Sequence, residues 1–381
     1  MKLGIIGCGN RVTGMAKLVL ELAKDIELTA IADINPEKAK TTLSTRGLWN
    51  DNIRTYLDAD QMLDQEELDG VMIGTRCSLH STMGVKVLKR NLPMFIEKPV
   101  STNMEDLLML KKAYEESKSK VVVSFPLRVT PLAKLAKEII DSGKLGTIEH
   151  VQAYNNVPYG GVYFHNWYRD ENETGGLFLQ KATHDFDYIN NILNIDPVMV
   201  CAMRSKQIFK GSKPAGVYCK DCPEKDTCPE GPYSMKYVKF DNPNGDMCCF
   251  ATDTGNEDSS SAIIRYSTGM HVNYTQNFFA RKAAGTRGAR FLGYNGTLEF
   301  DWYKDQCKVF MHNTPRVETY DVNSKTMSHG GGDSVLAFNF IDVMRNEAES
   351  VAPLDAGLLS CLMCIKATKS AENNTFERIE Y

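Results

Sequence analysis

Residues able to do chemistry fall at a few places along this chain. Lys2 to Ala16 reads K-L-G-I-I-G-C-G-N-R-V-T-G-M-A, a short apolar run that breaks at Gly7 and Gly9 and resumes as an apolar-periodic segment through Met15, Leu18, Val19 and Leu22. Strand, tight turn and helix in that order put backbone N–H groups, uncrowded by Cβ atoms, at a helix N-terminus whose dipole favours an anion. Gly7 makes the turn, Gly9 allows close approach, and Asn10 and Arg11 open the helix. A pyrophosphate is the group such a turn holds. The third glycine of the usual fingerprint is replaced by Val12, a departure from the pattern.

An acidic residue about twenty positions further on is the second half of the signal. Asp33 supplies it, at the carboxyl end of the apolar run Ile26 to Ala32, where it can accept both hydroxyls of an adenosine ribose. The alternative is a helix cap ahead of Asn35-Pro36-Glu37. Neither Ile34 nor Asn35 offers the Arg that a 2′-phosphate needs, so NAD is expected ahead of NADP. Lys98, between Glu97 and Pro99 at a strand end, can orient a substrate hydroxyl and manage its proton. Further on, Lys181, His184 and Asp187 project from one face of a helix whose other face carries Ala182, Phe186, Ile189 and Leu193. His184 suits a proton acceptor for alcohol oxidation, and Asp187 is placed to orient it.

These groups need a scaffold, and the spacing supplies one. Apolar runs alternate with helical patterns through residue 125, with Gly7, Asp33, Gly74 to Arg76, Glu97 to Pro99 and Phe125 to Arg128 at strand carboxyl ends. Such βαβ repetition predicts an α/β fold with a doubly wound parallel sheet, whose ligands sit outside those ends. After Pro126 the pattern changes. Ala262 to Tyr266 and Met270 to Phe278 flank Ser267-Thr268-Gly269, and Asn295-Gly296 joins two more runs, which predicts an α+β domain built on one large open antiparallel sheet. The expected division is 1–123 for the cofactor and 124–381 for substrate and oligomerisation.

Composition bounds the partners. The 381 residues are 43% hydrophobic and 24% charged with a net charge of −4, which offers no basic footprint for nucleic acid. No apolar run reaches the length of a membrane span, and the first strand starts by residue 3 with no room for a signal peptide, so a cytoplasmic location is expected. Cys219, Cys222 and Cys228 have zinc-like spacing, with Cys248, Cys249 or a His as fourth ligand; loop thiols are the alternative, and no metal is assigned. His329-Gly330-Gly331-Gly332-Asp333 precedes a helix that Asp333 is expected to cap.

The glycine turn, Asp33, His80 in a loop after the fourth strand, Glu97-Lys98-Pro99, Arg128, Gly175-Gly176 and His184-Asp185-Phe186-Asp187 together resemble the Gfo/Idh/MocA oxidoreductases. The resemblance spans nearly the whole chain. It implies a Rossmann domain, NAD or NADP, a sugar-like or cyclitol substrate, and Lys98 and His184 at the catalytic centre, with Lys181 beside them. Thr75, His80, Glu97 and Lys98 would then join Gly7, Gly9, Asn10, Arg11 and Asp33 around the cofactor. Lys98, Arg128, Lys181, His184 and Asp187 would line the substrate. One position departs: Gln180 stands where many sugar and inositol dehydrogenases of the family carry an Asp, and a neutral amide cannot accept the proton. Net hydride transfer to NAD is the leading expectation. An NAD-recycling glycosidase, which oxidises transiently and eliminates, and a non-catalytic sugar sensor are the rivals. Self-association through the open sheet is expected.

Overall fold

A computed structural model describes residues 1–231, 233, 245–323 and 328–381. The chain begins with β1 (Lys2–Ile6), α1 (Asn10–Leu22), β2 (Glu27–Ala32), α2 (Pro36–Thr45), β3 (Arg54–Tyr56), α3 (Ala59–Gln65), β4 (Gly70–Ile73), α4 (His80–Leu88), β5 (Met94–Ile96), α5 (Met104–Glu115) and β6 (Val121–Val123). All six strands pair in parallel in the order β3-β2-β1-β4-β5-β6. Right-handed crossovers in this order put helices on both faces and open a crevice where β1 and β4 diverge. Local signals set the helix starts: Asn35 accepts from Lys38 N ahead of Pro36, and Asn103 accepts from Asp106 N. His80, expected in a loop, opens α4.

The second half runs α6 (Pro131–Asp141), β7 (Ile148–Asn156), the short helices α7 (Val162–His165) and α8 (Glu171–Thr174), α9 (Thr183–Leu193) and β8 (Pro197–Ser205). It continues with β9 (Ser259–Tyr266), β10 (His271–Asn277), β11 (Thr286–Gly293), β12 (Gly296–Asp301), β13 (Gln306–Met311), β14 (Val317–Asp321), α10 (Gly332–Met344), α11 (Leu354–Asn373) and β15 (Glu377–Arg378). Nine strands form one sheet, β14-β13-β12-β11-β7-β10-β9-β8-β15. Its pairs are antiparallel except β7 with β10, so the sheet is mixed. Gly269, at φ 97°, makes the β9–β10 turn that Ser267-Thr268-Gly269 predicts.

The last two helices return to the first sheet. α10 packs on α1, and Phe340 meets Phe95 edge-on at 5.7 Å. Met344 fills the space beside Gly70, where a Cβ would lie 2.9 Å from its Cγ. α11 packs on α9 and β8, with Val100 against Gly357. Side chains of Phe and Leu size buried this fully each stabilise by about 1.5–3 kcal/mol, enough to hold both helices in place. α9 is enclosed on all sides: Phe186 meets Tyr274 of β10, Tyr188 meets Phe300 of β12, and α6 and α11 cover the rest. The expected polar face carrying Lys181, His184 and Asp187, left free for substrate, is therefore corrected, because Lys181 and Asp187 are buried.

Candidate active site

The crevice at the β1 and β4 ends carries the glycine turn. Gly7 has φ 77°, and a Cβ there would lie 2.6–2.7 Å from Thr75. Gly9 is the N-cap of α1 with no side-chain hydrogen bond, and it and Asn10 are exposed, so the first N–H groups of the helix face outward. Asp33 reaches back to this turn: its Oδ2 accepts from Cys8 N at 2.8 Å and its Oδ1 from Asn35 N at 2.8 Å. Val12 also finds its explanation. A Cβ on Gly74 would lie 2.2 Å from Val12 Cγ1, so the small residue needed for close helix–strand packing sits on β4's end rather than on the helix. A cradle that any Cβ would fill, beside an uncapped helix and a carboxylate at ribose distance along the chain, fits a dinucleotide.

Three residues assigned to the cofactor from the sequence are engaged within the protein. Arg11 Nη1 donates to Asp333 Oδ2 at 2.9 Å, and its Nε lies 3.4 Å from Glu97 Oε1. Burial pushes the Glu97 carboxyl up, against the pull of Arg11 and Lys98. Asp333 is also bonded to His329 Nδ1 at 2.8 Å; although burial raises its pKa, Arg11 and His329 hold it well below the usual carboxylate range. Asp333 is not the cap of α10, since Gly331 at φ 86° takes that place. His80 bridges two strand ends, Nδ1 to Pro99 O at 2.7 Å and Nε2 to Thr75 O at 3.3 Å, and burial pushes its pKa down to about 4.

Lys98 meets the second half here. Its Nζ donates to Gln180 O at 2.7 Å, and burial, with Lys181 nearby, pushes its pKa down to about 8. Gln180 turns its own amide away: Nε2 donates to Cys77 Sγ at 2.9 Å, and the side chain is buried. Residues Phe178–Ala182 form a π-helical turn ahead of α9, a widening frequent at functional sites. From this turn Lys181 donates to Tyr159 OH at 2.6 Å, its ammonium 4.5 Å from that ring's centre and 5.4 Å from Tyr163's. His184 lies edge-on to Phe125 at 5.8 Å. Burial, then Lys98, Arg287 and Lys181, hold its imidazole well below its ordinary pKa, so it is neutral at pH 7.

Asp187 does not orient His184. Its Oδ1 lies 3.2 Å from Arg128 Nη1, whose Nη2 donates to Asn191, while Asp187 Oδ2 and His184 Nδ1 have no hydrogen-bond partner among the described residues. Burial pushes Asp187 up to about 7, against Arg128's pull. Arg128 and Asp187 thus brace α9 from the segment after β6. The carboxylate that matters for the local field is its neighbour, Asp185, which accepts from Arg287 Nε, Asn155 Nδ2 and Tyr274 OH at 2.8–2.9 Å. Sequence reasoning missed Tyr159, Arg287 and Asp185; only Asp185 carried a signal, in its place beside His184. In the cysteine segment, Lys213 Nζ lies 3.7 Å from Cys222 Sγ, and no three metal-binding side chains gather among the described residues.

Comparison with known proteins gives the same architecture a family. Residues 1–125 match the model described as an oxidoreductase family with an NAD-binding Rossmann fold, and 133–299 match the GFO/IDH/MocA C-terminal domain. The YteT protein of Bacillus subtilis (strain 168) is 26% identical over 318 residues, 73% of each chain. Inositol 2-dehydrogenase of Rhizobium meliloti (strain 1021) is 27% identical over 218 residues, 57% of this chain and 62% of that one. A levoglucosan dehydrogenase structure, solved with NADH and L-sorbose, superposes with a TM-score of 0.80 at 16% identity, covering 100% of this chain and 99% of that one. No described helix is long and apolar enough to cross a membrane. With both halves matched in order, the chain belongs to the Gfo/Idh/MocA oxidoreductase family, and its first domain is an NAD-binding Rossmann domain.

Proposed function

We propose that this oxidoreductase is an NAD-dependent dehydrogenase acting on a secondary alcohol of a sugar, sugar derivative or cyclitol. The observation that carries the proposal is the join between Lys98 and the π-helical turn, which brings a titratable ammonium from the cofactor half against Lys181 and His184 of the second half. Relatives named as inositol and levoglucosan dehydrogenases support the substrate class. Gly7, Gly9, Asn10 and Asp33 would hold NAD, which when bound accepts a hydride. Lys98 and the ring N–H of neutral His184 would then steady the oxygen that develops negative charge. Residues 1–123 serve the cofactor and 124–381 the substrate in this proposal. A homo-oligomer in the cytoplasm belongs to it too, its self-association supported by the exposed Met203 and Ile263 on the open sheet and checked by size-exclusion chromatography, its location by cell fractionation.

The test is incubation with NAD and a panel of sugars, cyclitols and glycosides, following NADH and product together. Net NADH is expected; product release without it would favour the cofactor-recycling glycosidase. With the substrate found, Lys98→Met and His184→Ala should each lower turnover by about two to four orders of magnitude while NAD affinity stays unchanged. Near-normal turnover in both variants would reject the site.

A further inference from the structure

Tyr159 lies just after β7, with about half its surface exposed, 49%, while its hydroxyl is bonded to the buried Lys181. Lys181 follows Gln180, whose carbonyl holds Lys98, so one rigid turn fixes the Tyr159 phenol and the Lys98 ammonium on neighbouring residues. The partner of Lys181 here is a phenol, not a carboxylate. The Gln180 side chain supplies no proton acceptor, its amide being spent on Cys77. Asp185 of α9 is fully buried against the large sheet and saturated by three donors.

We propose that Tyr159, held by Lys181, is the group that takes the proton of the reacting hydroxyl. This rests on the dehydrogenase proposal above and adds to it the proton's destination. With Tyr159 as the phenolate that the Lys181 ammonium holds, the substrate O–H bond breaks with its proton moving to the Tyr159 oxygen to give the neutral phenol, its electron pair becomes the second bond of the carbonyl, and the C–H pair leaves as hydride for the oxidised nicotinamide. The chemistry of the cleft agrees. Burial works to raise the Tyr159 pKa, but Lys181 and Arg287 outweigh it and bring the phenol below its ordinary value. Of the remaining groups facing it, Asp185 opposes this and is neutralised by Arg287, and Tyr163 and Tyr303 are phenols held neutral by burial. His184, pushed far down, is by contrast a weak base, and proton transfer is most efficient to a group that titrates near the working pH.

Titration of the whole protein in the ultraviolet tyrosinate band tests this without any substrate. One phenol should ionise below the ordinary tyrosine value of about 10, vanish in Tyr159→Phe, move upward in Lys181→Met and persist in Lys181→Arg. If Lys181→Met fails to fold, the arginine variant and Tyr159→Phe still decide. With a substrate from the panel, Tyr159→Phe should cut kcat by about a hundredfold or more and abolish the acid limb of the pH profile. A Tyr159 that titrates normally overturns the proposal, as does a Tyr159→Phe enzyme with an unchanged limb. Absence of NADH from every panel member would instead reject the dehydrogenase proposal, and leaves the titration result standing on its own.

Discussion

Gly74→Ala tests whether Val12 and Gly74 share one packing role. The added Cβ would stand 2.2 Å from Val12 Cγ1 and 2.3 Å from Val12 Cβ. Because Val12 is wholly buried and its Cβ is fixed by the helix backbone, rotation of the side chain cannot relieve the contact. The cost should reach the upper end of overpacking, about 3 kcal/mol. Val12→Gly alone should lose about 1.5–3 kcal/mol of side-chain burial and about 0.4 kcal/mol of helix propensity. In the Val12→Gly, Gly74→Ala pair the clash disappears, so the double variant should cost little more than Val12→Gly, a coupling of about 3 kcal/mol. Val12→Ala should not rescue, since its Cβ keeps the 2.3 Å contact. Urea unfolding measures the cycle, and NAD titration should follow it, because the displaced α1 carries the glycine turn. Additivity of the two single effects within about 0.5 kcal/mol would refute the shared role.

Other consequences are simpler to state. NAD should bind more tightly than NADP, whose 2′-phosphate would face the Asp33 carboxylate, and Asp33→Ala should narrow the preference; equal affinities in the wild type would contradict this. Elemental analysis of protein purified without added metal decides the cysteine segment: about one equivalent of zinc is expected if Cys219, Cys222 and Cys228 are ligands, and less than about a tenth leaves them as loop thiols. His80 has a folded-state pKa of about 4 against about 6.5 unfolded, so the unfolded chain binds the proton first and stability is lost as pH falls below 6.5, by about 2 kcal/mol at pH 5. The difference between wild type and His80→Gln in urea unfolding should shift by that amount between pH 7 and pH 5, and a constant difference would reject the assignment.

The parallel sheet was legible because its central strands are short buried apolar runs between helical periods, as in Val71-Met72-Ile73 and Met94-Phe95-Ile96. Edge strands carry no such mark. β14, Val317–Asp321, is half exposed along its length, and β15 is two residues long, so hydrophobic pattern could not define either. The mixed pairing of β7 with β10 was equally silent, since strand direction depends on partners far along the chain. Val12 looked like a defect in the glycine fingerprint because the pattern records one side of a contact whose other side is Gly74.

The same distinction separates the candidate residues that sequence singled out from those that only the structure brings forward. Lys98 and His184 stand in short runs whose local order places them at a strand end and on a helix, so spacing alone singles them out. Tyr159 gains its character from Lys181 at 2.6 Å, 22 positions away in another element, and Asp185 from Arg287, 102 positions away. Between the two aspartates of His184-Asp185-Phe186-Asp187, helical spacing favours Asp187 as the partner of His184, but spacing ignores what packs against the helix. Arg128 lies on one side of α9 and Arg287 on the other, and each claims the aspartate that faces it. A charge on an enclosed helix goes to the cation across the interface, because an unpaired buried carboxylate costs more than the loss of a local hydrogen bond. The electrostatics of this cleft are therefore a property of tertiary packing, while the placing of Lys98 at a strand end and of His184 on a helix is a property of local sequence.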